Sequence, residues 1–479
     1  MTRMEHDSLG EVGVPDDALY GAQTQRAVEN FPISGVGPHP DFVWATVLVK
    51  KAAATANMRT GRLESRLGGA IAAAADEILV DGAWVDQFVV DRFQAGAGTS
   101  HNMNANEVLA NRANELLGGH RGDYHPVHPN DHVNMSQSSN DAVPAMVRLA
   151  LLRGWERLRS VLEALAEALA AKQRELDGVV KTGRTHLQDA VPIRLGQEFG
   201  AYRTTIEKAI DTLDQAADRL LATNLGATAL GTGINADPAY RLCVVAALRE
   251  STGWELRPPL DYFQVTQSHD DFVRFSGGLR GLAVELAKLA NDLRLLSSGP
   301  DAGFGDISLP ALQPGSSIMP GKVNPVMAEM LDMVAFRVMG ADLSVSLAGM
   351  HGQVDLNVFA PVAADELLTS LTLLTNAVRA FTERCVRGLQ ANESRLAAQL
   401  ARNNALATAL APTIGYERAA EISKLAVADG LTVREAALRS GVLEADSLDR
   451  LLNPLPLTEP GVPGVSGGGA FADGPAALD

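Results

Sequence analysis

The segment Gly315–Pro325 holds the residue types with the clearest chemical potential in this sequence, and it reads Gly-Ser-Ser-Ile-Met-Pro-Gly-Lys-Val-Asn-Pro. Its glycines and its internal proline predict a mobile turn rather than part of a core element. Lys322 supplies a point charge for a carboxylate, Asn324 adds an amide, and Ser316 and Ser317 add hydroxyl groups. The segment therefore predicts a flexible loop that surrounds a small carboxylic acid.

Three further stretches are dense in small polar residues, and they span 96–104, 136–141 and 182–189. Each precedes or joins a predicted helix, and backbone N–H groups at helix starts bind carboxylates well. Taken singly, each signal is weak, because a pair of serines is usually a helix N-cap and a lone His186 is more often structural. Their combination with the loop is what indicates a carboxylate site.

Long helices are the elements that must position these stretches. Aromatic residues make up only 5% of the chain, while Ala and Leu are abundant, a composition that favours helices. Apolar residues recur at helical spacing from about Asp41, and then over 155–176, 272–296 and 326–347. Helices of this length bury their apolar stripes most easily against copies of themselves, so the pattern predicts a mainly α fold with an oligomeric helical bundle.

Changes in texture along the chain predict three domains. Residues 1–140 are expected to form a mostly helical N-terminal domain whose first 40 residues are an extended arm. Residues 141–395 are expected to form the central long-helix bundle. Residues 396–460, with glycines between shorter helical patterns, predict a small helical C-terminal domain, and 461–479 predict a disordered tail.

Bulk composition excludes several classes of protein. The net charge is −16, with 41 basic and 57 acidic residues, and no basic block suggests a nucleic-acid partner. Cys243 and Cys385 lie far apart without a CxxC spacing, which predicts two buried thiols in a reducing cytoplasm. The start has no apolar signal core and no run of 18 apolar residues occurs, so we expect a soluble, cytoplasmic protein without membrane contact.

The four polar stretches, in this order, resemble those of the aspartase/fumarase superfamily, and the similarity runs from about Glu5 to Pro460. Gly315–Pro325 matches the signature loop of that family without a gap. Within the superfamily the chain is most similar to the aspartate ammonia-lyases. The segments that carry this closer similarity are 189–199, 224–233, 290–294 and 324–329.

The resemblance implies a role for each polar residue. Ser316 would be the general base that takes a proton from the carbon beside one carboxylate, leaving an aci-carboxylate dianion that needs electrostatic stabilisation. The other implied roles are donors to that carboxylate (Thr99, Ser138, Ser139 and Ser317), ligands of the second carboxylate (Lys322 and Asn324), contacts of the departing group (Asn140, Thr185 and His186) and the acidic partner of the histidine (Glu329). The resemblance also implies a three-domain lyase that forms a homotetramer, with active sites shared by three subunits and no cofactor.

The sequence departs from the aspartase pattern at several positions. Ser138-Ser139-Asn140 replaces the usual Ser-Thr-Asn and is more similar to fumarases. Four further departures are candidates for an altered specificity, with neutral change as the alternative: His101, His269, Met350 and His351. The spacing of the histidines matches no standard ligand set, so no metal site is expected.

Four functions follow from this reading. The first is reversible elimination of ammonia from L-aspartate to give fumarate. The second is hydration of fumarate to malate. The third is an amine lyase of the same family that acts on another substituted carboxylic acid, such as ergothioneine. The fourth is a structural protein that keeps the fold, as in the lens crystallins, although the intact Ser316, Lys322, Asn324 and His186 argue against it.

Overall fold

A computed structural model describes residues 1–464 of the chain. It is mainly helical, which confirms the predicted fold class. Within the expected disordered tail, residues 461–464 form a bend and a turn, and 465–479 lie outside the described residues.

The N-terminal elements are more regular than an extended arm. They are β1 (Thr2–Asp7), β2 (Gly10–Pro15), α1 (Ala22–Asn30), α2 (Pro40–Arg59), α3 (Ser65–Leu79) and α4 (Thr99–Leu116). β1 and β2 pair antiparallel in a hairpin. The guanidinium of Arg3 donates to the carbonyls of Pro15, Ala18 and Tyr20, which ties the hairpin to the chain that follows.

The middle of the chain consists of long helices joined by short strands. These elements are α5 (Ser139–Glu175), β3 (Val180–Thr185), β4 (Gln188–Arg194), α6 (Leu195–Leu220), α7 (Tyr240–Thr252), α8 (Tyr262–Gln267), α9 (Asp270–Leu296), β5 (Ile307–Ser308), α10 (Val326–Met350) and α11 (Ala360–Phe381). α9 and α10 begin within two residues of their predicted starts. α5 begins 16 residues before the predicted 155, since 139 is its first residue.

The C-terminal part has shorter helices, as predicted. Its elements are β6 (Gln390–Ala391), α12 (Glu393–Ala401), α13 (Ala411–Ile414), α14 (Tyr416–Asp429), α15 (Val433–Ser440) and α16 (Ala445–Leu451). Gly430 and Gly441 end α14 and α15 in the left-handed conformation, with φ of 66° and 62°, which glycine adopts without steric cost.

The described chain divides into two compact units. The first comprises Met1–Leu162, Lys208–Ala287 and Asp332–Val378, and the second comprises Glu163–Glu207, Lys288–Leu331 and the residues from Arg379 onward. The divisions fall inside α5, α6, α9, α10 and α11. The predicted domain boundaries at 140 and 395 stay a prediction.

Each unit has a buried apolar core of its own. In the first, residues of α2, α3 and α4 such as Val47, Ile71 and Leu109 are fully buried against one another. In the second, α14, α15 and α16 pack around Leu410, Ala436 and other apolar side chains. The core of the first unit includes side chains of α4 and Val133, which lies shortly before the start of α5.

Within residues 1–464, α10 is the one helix long and apolar enough to cross a membrane by length and composition, a test that core helices of soluble proteins also pass. Only 33% of its most apolar stretch is buried within the chain. Cys385 is buried and Cys243 is half-buried rather than buried as expected, and both are free thiols. Burial raises the pKa of Cys385 to about 12.

Candidate active site

Two helix N-termini meet in the first unit. α4 begins at Thr99 and α5 at Ser139, and the Oγ1 of Thr99 lies 3.2 Å from the Oγ of Ser139. Gly98, at φ of 69°, permits this approach, because a Cβ there would lie 2.9 Å from the Cγ1 of Val143. The hydroxyls and the positive ends of both helices form a site suited to a carboxylate.

Asp141 fixes the start of α5 from inside the core. Its carboxylate is fully buried and accepts the backbone N–H of Ser138 at 2.8 Å, while the Ser138 hydroxyl accepts the N–H of Asn140 at 3.2 Å. The other carboxylate oxygen accepts the N–H groups of Gly226 and Thr228, each at 2.9 Å. Burial raises the pKa of Asp141 to about 6, although these hydrogen bonds oppose the shift.

Asn140 is anchored by the loop that follows α6. Its side-chain N–H donates to the carbonyl of Ala229 at 2.7 Å. Pro144, which lies inside α5, has no N–H to donate to the carbonyl of Asn140 four residues earlier. That carbonyl instead accepts the side-chain amide of Asn224 at 3.4 Å. The side chain and the backbone of Asn140 are therefore both tied to one neighbouring loop.

The loop at 315–324 lies in the second unit and folds around the hydroxyl of Ser316. The Oγ of Ser316 accepts the backbone N–H groups of Ile318 at 3.2 Å and Met319 at 3.0 Å. Both donors would stabilise a negative charge on that oxygen. The sequence predicted a turn here, and residues 320–321 form one; the role of Ser316 as a base stays a prediction.

The ends of the same loop are held together by Gly315. Its N–H donates to the carbonyl of Lys322 at 2.7 Å, and its carbonyl accepts the side-chain amide of Asn324 at 2.8 Å. A Cβ on Gly315 would lie 2.8 Å from the Lys322 carbonyl oxygen, so the turn requires glycine. Ser317 and Lys322 are exposed, and their side chains are available to a ligand.

Thr185 and His186 lie at the tip of the β3–β4 hairpin in the second unit. His186 and Leu187 have φ of 54° and 61°, as in a tight hairpin turn, and both side chains are exposed. Next to them, Arg184 pairs with the fully buried Asp306 at 2.6 Å and lies over the ring of Phe304. This ion pair holds the base of the turn, which the sequence reading did not single out.

The predicted pairing of His186 with Glu329 does not occur among the described residues of one chain. Glu329 is half-buried in the first turn of α10, and no hydrogen bond or ion pair within residues 1–464 joins it to His186. The partnership of His186 and Glu329 stays a prediction.

The four specificity candidates fall into two classes. His101 is fully buried, stacks on Phe42 with ring centroids 4.3 Å apart, and contacts the Thr46 hydroxyl at 2.8 Å. His269 is also buried, beside Phe272. Burial lowers the pKa of each histidine to about 3, so both rings are neutral at physiological pH.

The other two candidates are exposed near the end of α10. Met350 is its last residue, and the Nδ1 of His351 lies 2.8 Å from the carbonyl of Leu347. No group of three or more His, Cys, Asp or Glu side chains in the described part of the chain could hold a metal ion.

Sequence reasoning missed the buried polar residues behind the site. Asp141 had a local signal, because Ser138 and Asp141 stand at capping-box spacing. Lys50 is fully buried within the apolar stripe of α2, and a lysine inside such a stripe was the signal that could have marked it. Asp306 had none, because its partner Arg184 lies 122 residues earlier.

Comparisons with known proteins show which family the chain belongs to. A family described as "Lyase" matches residues 10–340, and one described as "Fumarase C C-terminus" matches 406–459. Aspartate ammonia-lyase from Bacillus subtilis (strain 168) is 48% identical over 462 residues, which is 96% of this chain and 97% of that protein. Fumarate hydratase class II from Halobacterium salinarum is 51% identical over 462 residues, which is 96% of this chain and 98% of that protein.

Solved structures are similar over the same extent. A fumarate lyase:delta crystallin from Brucella melitensis, bound to cobalt, superposes with a TM-score of 0.93 at 51% identity and covers 96% of this chain and 100% of its own. A class II fumarase from Schistosoma mansoni has a TM-score of 0.93 at 36% identity, with 96% and 99% covered. The chain is therefore a lyase that belongs to the aspartase/fumarase superfamily.

Proposed function

We propose that this chain catalyses the reversible elimination of ammonia from L-aspartate to give fumarate, in the cytoplasm. The observation that carries the proposal is the Ser316 hydroxyl, whose oxygen accepts two backbone N–H groups within the signature loop. A serine is a weak base in water, and it becomes useful only where its alkoxide is strongly stabilised. These two N–H groups are a built-in part of that stabilisation.

The reaction begins with transfer of a proton from the substrate carbon beside one carboxylate to the ionised Ser316 oxygen, an alkoxide that thereby becomes a neutral hydroxyl. The electron pair of the broken C–H bond moves into that carboxylate and gives an aci-carboxylate dianion. As the dianion collapses, the pair forms the new carbon–carbon double bond and the carbon–nitrogen bond breaks. Fumarate and ammonia are the products, and hydrogen-bond donors around the dianion lower the barrier.

We propose that the aci-carboxylate is bound by the hydroxyls of Thr99 and Ser139 and by the N-termini of the helices that they begin. Ser138 and Ser317 would donate further hydrogen bonds to it. The contact of Thr99 with Ser139 supports this assignment, because it places two hydroxyls at two helix N-termini. Lys322 would hold the second carboxylate as a point charge, and its side chain is exposed and able to reach a ligand.

Asn324 has a divided role in the proposed site. Its side-chain N–H closes the loop by donating to the Gly315 carbonyl. The amide nitrogen has a second hydrogen, which can bind the second carboxylate together with Lys322. Asn140, Thr185 and His186 would face the departing ammonia, and Glu329 of another subunit would orient His186.

We further propose a homotetramer whose active sites each draw on three subunits. The support is an apolar stripe on α10 that the chain leaves uncovered, made of Met333, Phe336, Leu343, Leu347 and Met350. Monomeric soluble proteins rarely expose a continuous patch of large apolar side chains, so the stripe is suited to packing against other copies of the bundle.

Fumarate hydration is the second candidate function. The 51% identity to a class II fumarate hydratase and the fumarase-like Ser138-Ser139 pair favour it. An amine lyase for a different acid has weaker support, because two of its supposed specificity residues, His101 and His269, are buried and could influence a substrate only indirectly.

The experiment is a substrate comparison on the purified enzyme, in which the ultraviolet absorbance of the fumarate double bond reports the product. We expect fumarate from L-aspartate and little from L-malate. The reverse result assigns the enzyme to fumarate hydration. If a folded tetramer turns over neither acid, both the ammonia-lyase and the fumarate hydratase proposals are contradicted, and an amine lyase for a different acid is favoured.

A further inference from the structure

Lys50 is a buried cation next to the proposed carboxylate site. It lies in the middle of α2 and is fully buried. Its Nζ donates to the side-chain oxygens of Gln137 at 2.9 Å and Asn134 at 3.1 Å. Within residues 1–464, no carboxylate lies within ion-pair distance of this ammonium group, and its hydrogen-bond partners there are two neutral amides.

The two amides that bind Lys50 shape the turn that leads into Ser138. The side-chain N–H of Asn134 donates to the Gln137 carbonyl at 3.3 Å, and that of Gln137 donates to the Val133 carbonyl at 3.0 Å. From α4, the Asn102 amide donates to the same Asn134 oxygen at 3.1 Å. Lys50 is therefore the charged centre of a hydrogen-bond network that fixes the turn at 134–137, and residues 138–140 follow this turn directly in the sequence.

The charged groups that face Lys50 leave it poorly compensated. Burial lowers the pKa of Lys50 to about 7, and Asp141 on α5 opposes that shift from beyond ion-pair distance. His101 on α4 is neutral, because burial and then the charge of Lys50 lower its pKa to about 3. An ammonium group buried with so little opposite charge is unfavourable, and an anion bound nearby would stabilise it.

We propose that Lys50 is a positioning residue for the substrate: its ammonium group holds the turn at 134–137, and thereby residues 138–140, and its weakly compensated charge favours a dianionic ligand there. This inference rests on the proposed function in one respect, namely that residues 138–140 bind a carboxylate. Lys50 would touch no reacting atom and would act through Gln137 and through its field.

A weakly compensated ammonium group at Lys50 has a measurable consequence for anion binding. Binding of a dicarboxylate should raise the pKa of Lys50, so the complex should take up part of a proton when the pH is near or above that pKa. Asp141 would also take up protons, but around its lower pKa of about 6. One pH unit above the pKa of Lys50, Asp141 is ionised and the uptake should come from Lys50.

The test uses succinate, a four-carbon dicarboxylate that has no group to eliminate. Calorimetric titrations in buffers of different ionisation enthalpy give its affinity and its proton uptake for the wild-type tetramer and for Lys50→Met, Lys50→Gln and Lys51→Met. Lys51 is the matched control, because it is next on the helix but pairs with Asp76 at the surface. Thermal unfolding and size-exclusion chromatography check folding and assembly.

We expect Lys50→Met to bind succinate about 10- to 100-fold more weakly, as for loss of a hydrogen bond to a charged group. Its proton uptake above the pKa of Lys50 should vanish, and its KM for the reacting substrate should rise more than its kcat falls. Lys50→Gln keeps an N–H donor without the charge, so it should recover part of the affinity and none of the uptake. Lys51→Met should match the wild type in each measurement.

The outcomes separate this inference from the proposed function. A wild-type enzyme that binds no succinate contradicts the dicarboxylate site itself. Wild-type affinity and uptake in a folded Lys50→Met overturn the role of Lys50 and leave the proposed function standing. If the Lys50 variants do not fold, the wild-type titration decides alone, because absent proton uptake one unit above the pKa of Lys50 refutes the role of its charge.

Discussion

Replacing Ser316 by alanine tests the proposed mechanism most directly. The change deletes the oxygen that accepts the N–H groups of Ile318 and Met319, and with it the proposed base. A positioned general base contributes about 10²- to 10⁴-fold to a rate. Since this base also brings its own oxyanion donors, we expect a loss at the upper end, of about a thousandfold or more in kcat, which corresponds to about 4 kcal/mol.

Stability should change little in the Ser316→Ala variant. The side chain is only half-buried and the two freed N–H groups are close to solvent, so water can replace the lost acceptor. We expect the free energy of unfolding to stay within about 0.5 kcal/mol of the wild type, as for most surface substitutions. Assembly measured by light scattering should be unchanged.

The assay is the initial rate of fumarate formation from L-aspartate, read by ultraviolet absorbance, with Ser317→Ala as the matched variant. Ser317 is the next residue, is exposed, and is proposed only as a donor, so its removal should cost about tenfold. The reasoning is refuted if Ser316→Ala retains a rate within tenfold of the wild type, or if Ser317→Ala is the more damaged of the two.

Three further predictions concern the scaffold. Asp306→Asn should lower the free energy of unfolding by about 3 kcal/mol in denaturant titrations, because it removes the buried carboxylate that pairs with both Lys181 and Arg184. The same change at the exposed Asp301 should leave the free energy of unfolding unchanged. Burial acts to raise the pKa of Asp306, but the hydrogen bonds and charges of these two cations outweigh it and lower the pKa. The stabilisation by Asp306 should therefore be present above about pH 4 and lost as the pH falls through the folded-state pKa. If Asp306→Asn and the wild type lose stability in parallel as the pH falls, this prediction is wrong. Gly315→Ala should abolish most activity without unfolding the protein, because its Cβ meets the loop backbone, while Gly69→Ala, with open space around it, should preserve the rate. Phe336→Glu should shift the proposed tetramer to smaller species and remove activity together, and an active monomer in sedimentation experiments would disprove the proposed sharing of the site.

Helices were predictable from the sequence where only one face is buried. α9 and α10 show that pattern, and their starts agree with the structure to within two residues. The first half of α5 was not predicted as helix, because nearly every side chain over 141–151 is buried and no alternation of polar and apolar residues remains. Pro144 further obscures it, since proline inside a helix usually signals an end.

The candidate site was predictable where its residues are consecutive. The loop at 315–324 could be located because its glycines, its proline and its polar residues are consecutive, whereas the stretch 182–189 was marked as polar but was expected beside a helix rather than in a hairpin. Lys50 could not be linked to Gln137 in this way, because 87 residues separate them and only the folded core brings them together. For His101, nearness in sequence was misleading, because it suggested a place beside Thr99 in the site. Residues two apart on a helix point in different directions, and the ring of His101 lies in the core.

The close approach of Gly98 and Val143 has a consequence for the range of pH over which anions are attracted. Each helix N-terminus carries a partial positive charge of about half an elementary charge, so the adjoining ends of α4 and α5 together present about one. That charge arises from peptide dipoles and contains no ionisable proton. The positive potential of these two helix ends therefore does not itself change with pH, and any pH dependence of anion binding must come from titrating groups of the protein or of the ligand.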